Sequence, residues 1–237
     1  MYKNKTILAI VPARGNSKGI KNKNLKKING LSLVEHAGNI LNKISWIDYS
    51  IISSDSTKII KVAKKSNLKC FFKRPKDLSG DRVSDYSVIK HAVSVFEKIQ
   101  KTKIDIILLI QPTSPLREVK HIKDVIKKII DKKLDSVWSV SKVDLKFHPL
   151  KQLTFNNDDL SYYNKKGKDV IARQQLSSTY YRNGVVYAIS KNSILINKNL
   201  LGKKSSAYIV KTPQVSIDTL KDLRLANKLV KSKKNKK

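Results

Sequence analysis

A single cysteine, Cys70, stands among 237 residues. That excludes a disulfide framework within the chain and any thiolate cluster around a metal. Histidine is nearly as scarce, and His36, His91, His121 and His148 lack the spacing of metal ligands. Acidic residues are few, 18 against 50 lysines and arginines, for a formal net charge of +32. Aromatic residues make up only 7% and do not alternate with the cations, and no nucleic-acid motif is present. The charge therefore reads as solvated helix faces with a general pull on polyanions, and no specific nucleic-acid partner is expected. No apolar run approaches the length of a membrane span, and the N-terminus lacks the apolar stretch and small-residue cleavage site of a secretion signal. The expectation is a cytoplasmic protein with no membrane partner.

What is present is enough apolar residue, 40%, for one real core. The length suits a single domain over 1–237, and no repeat or linker divides it. Short apolar runs alternate with amphipathic stretches. Strands are expected at 7–11, 51–53, 69–72, 104–110, 136–140 and 183–189. Helices are expected near 33–43, 57–66, 84–101, 119–132 and 220–230. The run at 104–110 is almost wholly apolar, as a central parallel strand is. Thr219 and Asp222 make an approximate capping box for the last helix. The alternation predicts an α/β fold with a Rossmann-like, doubly wound, mostly parallel sheet. Between 142 and 181 the rhythm fails, in a polar stretch too long for an ordinary connection. It reads as a disordered insertion or an arm that folds against a partner subunit. Residues 231–237, five of them lysine, read as a disordered basic tail.

The most informative stretch is the loop after the first strand, Pro12-Ala13-Arg14-Gly15-Asn16-Ser17-Lys18-Gly19, continuing to Lys21, Lys23 and Asn24. Glycines let backbone approach an anion, free N–H groups point at it, and the cations neutralise it. The spacing is neither that of a P-loop nor that of a dinucleotide fingerprint. A bland basic surface loop would look similar when taken alone. A second motif, Gln111-Pro112-Thr113-Ser114-Pro115-Leu116-Arg117, follows the central strand directly. Two prolines fix its backbone and side chains able to hydrogen-bond emerge at the rim, as a polyhydroxylated substrate requires. A rigid strand-to-helix turn, with Ser114 or Arg117 satisfying backbone groups, is the competing account. Ligands of such sheets gather outside the carboxyl ends of the strands, so both motifs and the Ser54–Asp55 corner should share one rim.

In the same order come Arg74-Pro75, Arg173-Gln174-Gln175, Asn183-Gly184 with Tyr187, and Ile217-Asp218-Thr219. Together with the two loops, these motifs resemble the acylneuraminate cytidylyltransferases, or CMP-nonulosonate synthetases, over residues 7–230. The resemblance implies a nucleotidyltransferase that joins CTP to an acidic nine-carbon sugar, releases pyrophosphate and requires Mg²⁺. It implies a homodimer made by an extended dimerisation arm, here 142–181, with a tetramer left open. On the nucleotide it places Ala13, Arg14, Gly15, Ser17, Lys18, Lys23, Asn24, Arg74 and Asp81. On the sugar it places Gln111, Thr113, Ser114 and Tyr187, with Lys151 and Arg173 reaching in from the other subunit. Lys23, Arg173 and Asp218 are the implied catalytic groups, and Asp218 the metal ligand. One position departs from the pattern. Ser216 stands where the family carries a second carboxylate, on the same face as Asp218 if the segment is extended. Two alternatives follow: a catalytically weakened CTP-binding relative, and a CMP-Kdo-type synthetase. The second is disfavoured because that family has an acidic motif where this chain has Gln111-Pro112-Thr113.

Overall fold

The computed structural model describes residues 1–234. β1 (Ile7–Pro12) is the penultimate strand of a six-stranded sheet, between the edge strand β4 (Tyr49–Ser53) and β5 (Ile106–Leu109), both parallel to it. Between β1 and β4 lie a short hairpin, β2 (Lys27–Ile28) with β3 (Leu31–Ser32), and helix α1 (Leu33–Leu41). Ser32 caps α1 through a reciprocal bond with Glu35. Helices α2 (Thr57–Lys64) and α3 (Asp85–Gln100) start at Ser56 and Ser84, whose hydroxyls accept backbone N–H groups. α4 (Val119–Asp131) leads to β6 (Ser136–Lys142), and β9 (Tyr180–Ser190) then runs between β5 and β6, antiparallel to both. Helix α5 (Lys191–Leu195) and β10 (Ser205–Ile209) follow, with β10 parallel to β6 at one edge of the sheet.

Every residue of β1 from Ile7 to Val11 is fully buried, because the strand is covered on both faces. Ile7, Ala9 and Val11 pack under α1, α2 and α4, while Leu8 and Ile10 pack under Ile89, Ala92 and Phe96 of α3. The sheet is thus doubly wound, as the alternation predicts. α6 (Leu220–Lys234) closes a third, smaller cluster, with Ala226 against Ile28, Leu116 and Ile217.

Three local expectations need correction, and one strand lies outside them. The strand expected at 69–72 is a single parallel bridge from Lys69 to Ile51. Strand β10 lies outside the expected strands: it opens on Ser205 and Ser206 and its apolar residues, Ala207 to Ile209, are few, yet its backbone pairs with β6. The stretch at 142–181 is not shapeless: it holds a hairpin, β7 (Leu153–Asn156) with β8 (Asp159–Tyr162), between short 3₁₀ turns. The tail expected from Lys231 is helical through Lys234, and 235–237 lie outside the described residues. Thr219 and Asp222 form the expected box, Thr219 N–H donating to the carboxylate at 2.8 Å and Asp222 N–H to the Thr219 hydroxyl at 3.2 Å. No helix among the described residues is long and apolar enough to cross a membrane.

Candidate active site

The carboxyl ends of β1 and β5 open on one cleft of about 380 Å³, and Asp55 after β4 lines the lobe beside it. Its wall includes Arg14, Ser17, Lys23 and Asn24 from the first loop, Arg74 and Asp81 from the connection between α2 and α3, and Gln111 and Thr113 after β5. Ser216 and Asp218 complete it from the segment before α6. A contiguous lobe beside Arg14 and Ser17 adds Lys18, Lys21 and Lys76. The expected rim is therefore assembled.

The loop is held by its neighbours. Ala13 N–H donates to Ser53 O at 2.9 Å, continuing the sheet, and Gly15 N–H donates to the Asp55 carboxylate at 2.8 Å. Asn24, buried, donates from Nδ2 to Arg14 O at 3.0 Å and so ties the two ends of the loop together. A Cβ on Gly19 would lie 2.7 Å from Asp218 O, so only glycine lets the loop pass this close to the segment that carries Asp218. Ile217 N–H donates to Thr113 O at 2.9 Å, which sets that segment beside the second motif.

The charges are arranged in two groups. Asp81 receives Arg14 Nη1 at 2.6 Å and Lys18 Nζ at 2.9 Å. Chiefly through the Lys18 hydrogen bond, and then through the Arg14 charge, its carboxyl is held below the usual carboxylate range. A carboxylate there holds the cations in place and is itself no phosphate ligand. Lys23 Nζ lies 2.8 Å from Asp218 Oδ1, so two implied catalytic groups meet directly. Arg74 is buried, its Nε on the Ser79 hydroxyl at 3.2 Å, and burial lowers its pKa against the support of Asp55.

Asp85 went unnoticed in the sequence. It opens α3 and lies within 3.5 Å of Gln111 Nε2, inside the cleft. Burial raises its pKa, against the charges of Arg182 and Arg74. Its only local signal was a place just after the Ser84 cap. Lys76 and Ser79 were equally unremarkable, lying in a polar loop.

Two expected sugar ligands turn inward. Ser114 is fully buried and its hydroxyl donates to Asn183 O at 2.8 Å. Tyr187 is 4% exposed and its hydroxyl accepts Gly184 N–H at 2.8 Å. Both support the β9 turn that backs Gln111. Arg117 serves the same turn: buried, it donates to the carbonyls of Gln111 at 2.6 Å, Gly184 at 3.1 Å and Val185. Burial pulls its pKa down to about 9. Lys151 and Arg173 are exposed on the 142–181 segment and do not line the cleft of their own chain.

No group of three or more His, Cys, Asp or Glu suited to a metal exists among the described residues. A magnesium ion can nevertheless be held by one carboxylate together with phosphate oxygens and water. Asp218, with one oxygen on Lys23 and the side chain largely exposed, fits that use, and the Ser216 hydroxyl shares the wall.

A family model described as cytidylyltransferase matches residues 8–236. An N-acylneuraminate cytidylyltransferase of Escherichia coli is 30% identical over 97% of this chain, which spans 53% of that protein's length. A pseudaminic acid cytidylyltransferase of Campylobacter jejuni is 29% identical, with 94% of this chain and 96% of that one covered. In fold, the solved structure of CMP:2-keto-3-deoxy-manno-octonic acid synthetase complexed with CTP superposes with a TM-score of 0.70 at 13% identity, covering 97% of this chain and 100% of that one.

Proposed function

This chain belongs to the cytidylyltransferase family, and from that premise we propose that it converts CTP and a nonulosonic acid into the CMP-sugar and pyrophosphate. The observation that carries the reading is the meeting of Lys23 and Asp218 at 2.8 Å on one wall of a cleft whose other walls hold Arg14 and Gln111. In this reading the triphosphate lies along Arg14, Ser17, Lys18 and Lys23. The nucleoside lies toward Asn24 and Arg74, and the sugar lies against Gln111 and Thr113. The anomeric hydroxyl of the sugar attacks the α-phosphorus, and the bond to the β-phosphate oxygen breaks. The protein's part is positioning and neutralising charge. Lys23 meets the charge that grows on the phosphates, and Asp81 keeps Arg14 and Lys18 in place before the nucleotide arrives. A magnesium ion held by Asp218 would polarise the phosphoryl group and lower the pKa of the attacking hydroxyl.

The 142–181 segment supports a second copy as partner. Phe147, Phe155, Leu160, Tyr163 and Ile171 are all more than 60% exposed there, an apolar surface unusual for an isolated chain. A homodimer covering it would bring Lys151 and Arg173 of one copy toward the sugar side of the other. The test is pyrophosphate release from CTP and Mg²⁺ with a panel of N-acetylneuraminic, legionaminic and pseudaminic acids. Release with one or more of them is expected, and silence across the panel defeats the reading.

Ser216 favours a second reading, a relative that binds CTP with weakened turnover. Ser216→Asp separates the two. If Asp218 with an added water suffices, the substitution lowers the Mg²⁺ concentration for half-maximal rate and leaves the maximal rate within about threefold. If the chain is a weakened relative, the maximal rate itself rises by an order of magnitude or more.

A further inference from the structure

Beside Gln111, β6 and β9 build a wall in which the sequence motifs mark Asn183, Gly184 and Tyr187 but neither Trp138 nor Arg182. Trp138 of β6 stacks at a tilt on Tyr187, ring centroids 5.0 Å apart. Over the Trp138 ring, 5.7 Å from its centroid, sits the guanidinium of Arg182. Arg182 is exposed and immediately precedes the Asn183-Gly184 turn that backs the Gln111 side chain. It pairs with Val140 at the point where the β6–β9 register shifts.

We propose that Arg182 receives the carboxylate of the acidic sugar from within the same chain, its guanidinium braced on Trp138. The inference rests on reading the site as a CMP-nonulosonate synthetase and names the group that selects an acidic substrate.

Three observations carry it. The first is availability. Arg14 is engaged by Asp81, Arg74 is buried on Ser79, and Arg117 is spent on three carbonyls. Arg182, by contrast, forms no ion pair among the described residues. The second is geometry. A guanidinium in cation–π contact over an indole face keeps N–H groups free for a carboxylate fork and loses little rotamer freedom when it binds. The third is charge. Asp85, beside Gln111 in the cleft, feels Arg182 as its strongest opposing charge, so Arg182 lies within electrostatic reach of the sugar side. Tyr187 feels the same charge. The chemistry fits as well. In a nonulosonic acid the carboxylate is attached to the anomeric carbon, next to the attacking hydroxyl. A group that fixes the carboxylate therefore also aims the nucleophile. An arm from a second copy, carrying Arg173, would then close over a sugar already seated.

The experiment is steady-state kinetics on the full chain with CTP, Mg²⁺ and the accepted sugar of the panel. It compares wild type, R182M, which keeps packing on Trp138, R182K, which keeps charge without the fork, and R173A. The sugar KM of R182M is expected to rise on the order of 10- to 100-fold with the CTP KM within twofold, and R182K to fall between. The C1 methyl ester of the sugar should bind wild type as poorly as the free acid binds R182M, with no further loss in the variant. An unchanged sugar KM in R182M, an equal rise for both substrates, or a loss seen in R173A but not in R182M overturns the proposal. A wild type that accepts no sugar of the panel defeats the functional reading beneath it, and the proposal falls with it.

Discussion

Asp218→Ala is expected to lower turnover on the order of 10³-fold while leaving thermal stability nearly unchanged. The side chain is largely exposed, and its ion pair with Lys23 is of the kind that contributes little to folding. The cap of α6 does not depend on it either, because the bond to Asp222 comes from the Asp218 backbone N–H at 3.1 Å. Loss of activity must then come from the site. A second readout shows how. On the proposed reading the Asp218 carboxylate would, without divalent metal, repel the incoming triphosphate, so D218A should bind CTP more tightly than wild type in a chelator. With Mg²⁺ the order should reverse, since wild type gains affinity from the metal and the variant does not. Calorimetric titration of CTP with and without Mg²⁺ measures both. A variant whose CTP affinity responds to Mg²⁺ as the wild type does removes Asp218 from the metal.

Gly184→Ala is expected to be a strongly damaging single-methyl change, and one felt at the site. Gly184 has φ of +69°, a left-handed conformation that costs an ordinary residue roughly 1–2 kcal/mol. Space is the larger difficulty. A Cβ there would sit 2.4 Å from Gln111 Oε1 and 2.6 Å from Ser114 Oγ. Ser114 is fixed on Asn183 O, so Gln111 must give way. Strain and overpacking together should cost roughly 2–4 kcal/mol, a fall in Tm of roughly 5–15 °C for a chain of this size. The displaced Gln111 should raise the KM for the sugar by about tenfold, the loss of one good hydrogen bond, and spare that for CTP. Thermal melts and substrate kinetics of G184A test this. Adding Gln111→Ala should restore part of the lost stability, because the amide is then no longer in the way. A double variant as unstable as G184A would place the cost in the backbone alone.

Much of this was legible in order along the chain. The apolar run of β1, the cations of the loop and the Thr219–Asp222 box are local signals: each depends on residues a few positions apart, and the structure keeps them. The outcome for Ser114 and Tyr187 shows where such reading fails. A hydroxyl in a motif is equally able to meet a substrate or a backbone carbonyl. Here both hydroxyls were taken by the β9 turn, because buried polar groups of that turn require partners. β10 carries only a short apolar run, Ala207 to Val210, after two serines, and its place in the sheet is set by backbone bonds with β6.

By itself the sequence determined the α/β alternation, the burial of β1 and β5, and the set of cations and glycines in the loop after β1, since hydrophobic period and turn chemistry act over short distances. Only the tertiary structure decided that Lys23 meets Asp218 across 195 positions, that β9 runs antiparallel between β5 and β6, that Asp85 lies against Gln111, and that Arg182 lies over Trp138. Those are consequences of strand order in the sheet, and strand order is set by which edges and faces bury most completely once all elements compete, a choice that no short window of residues contains.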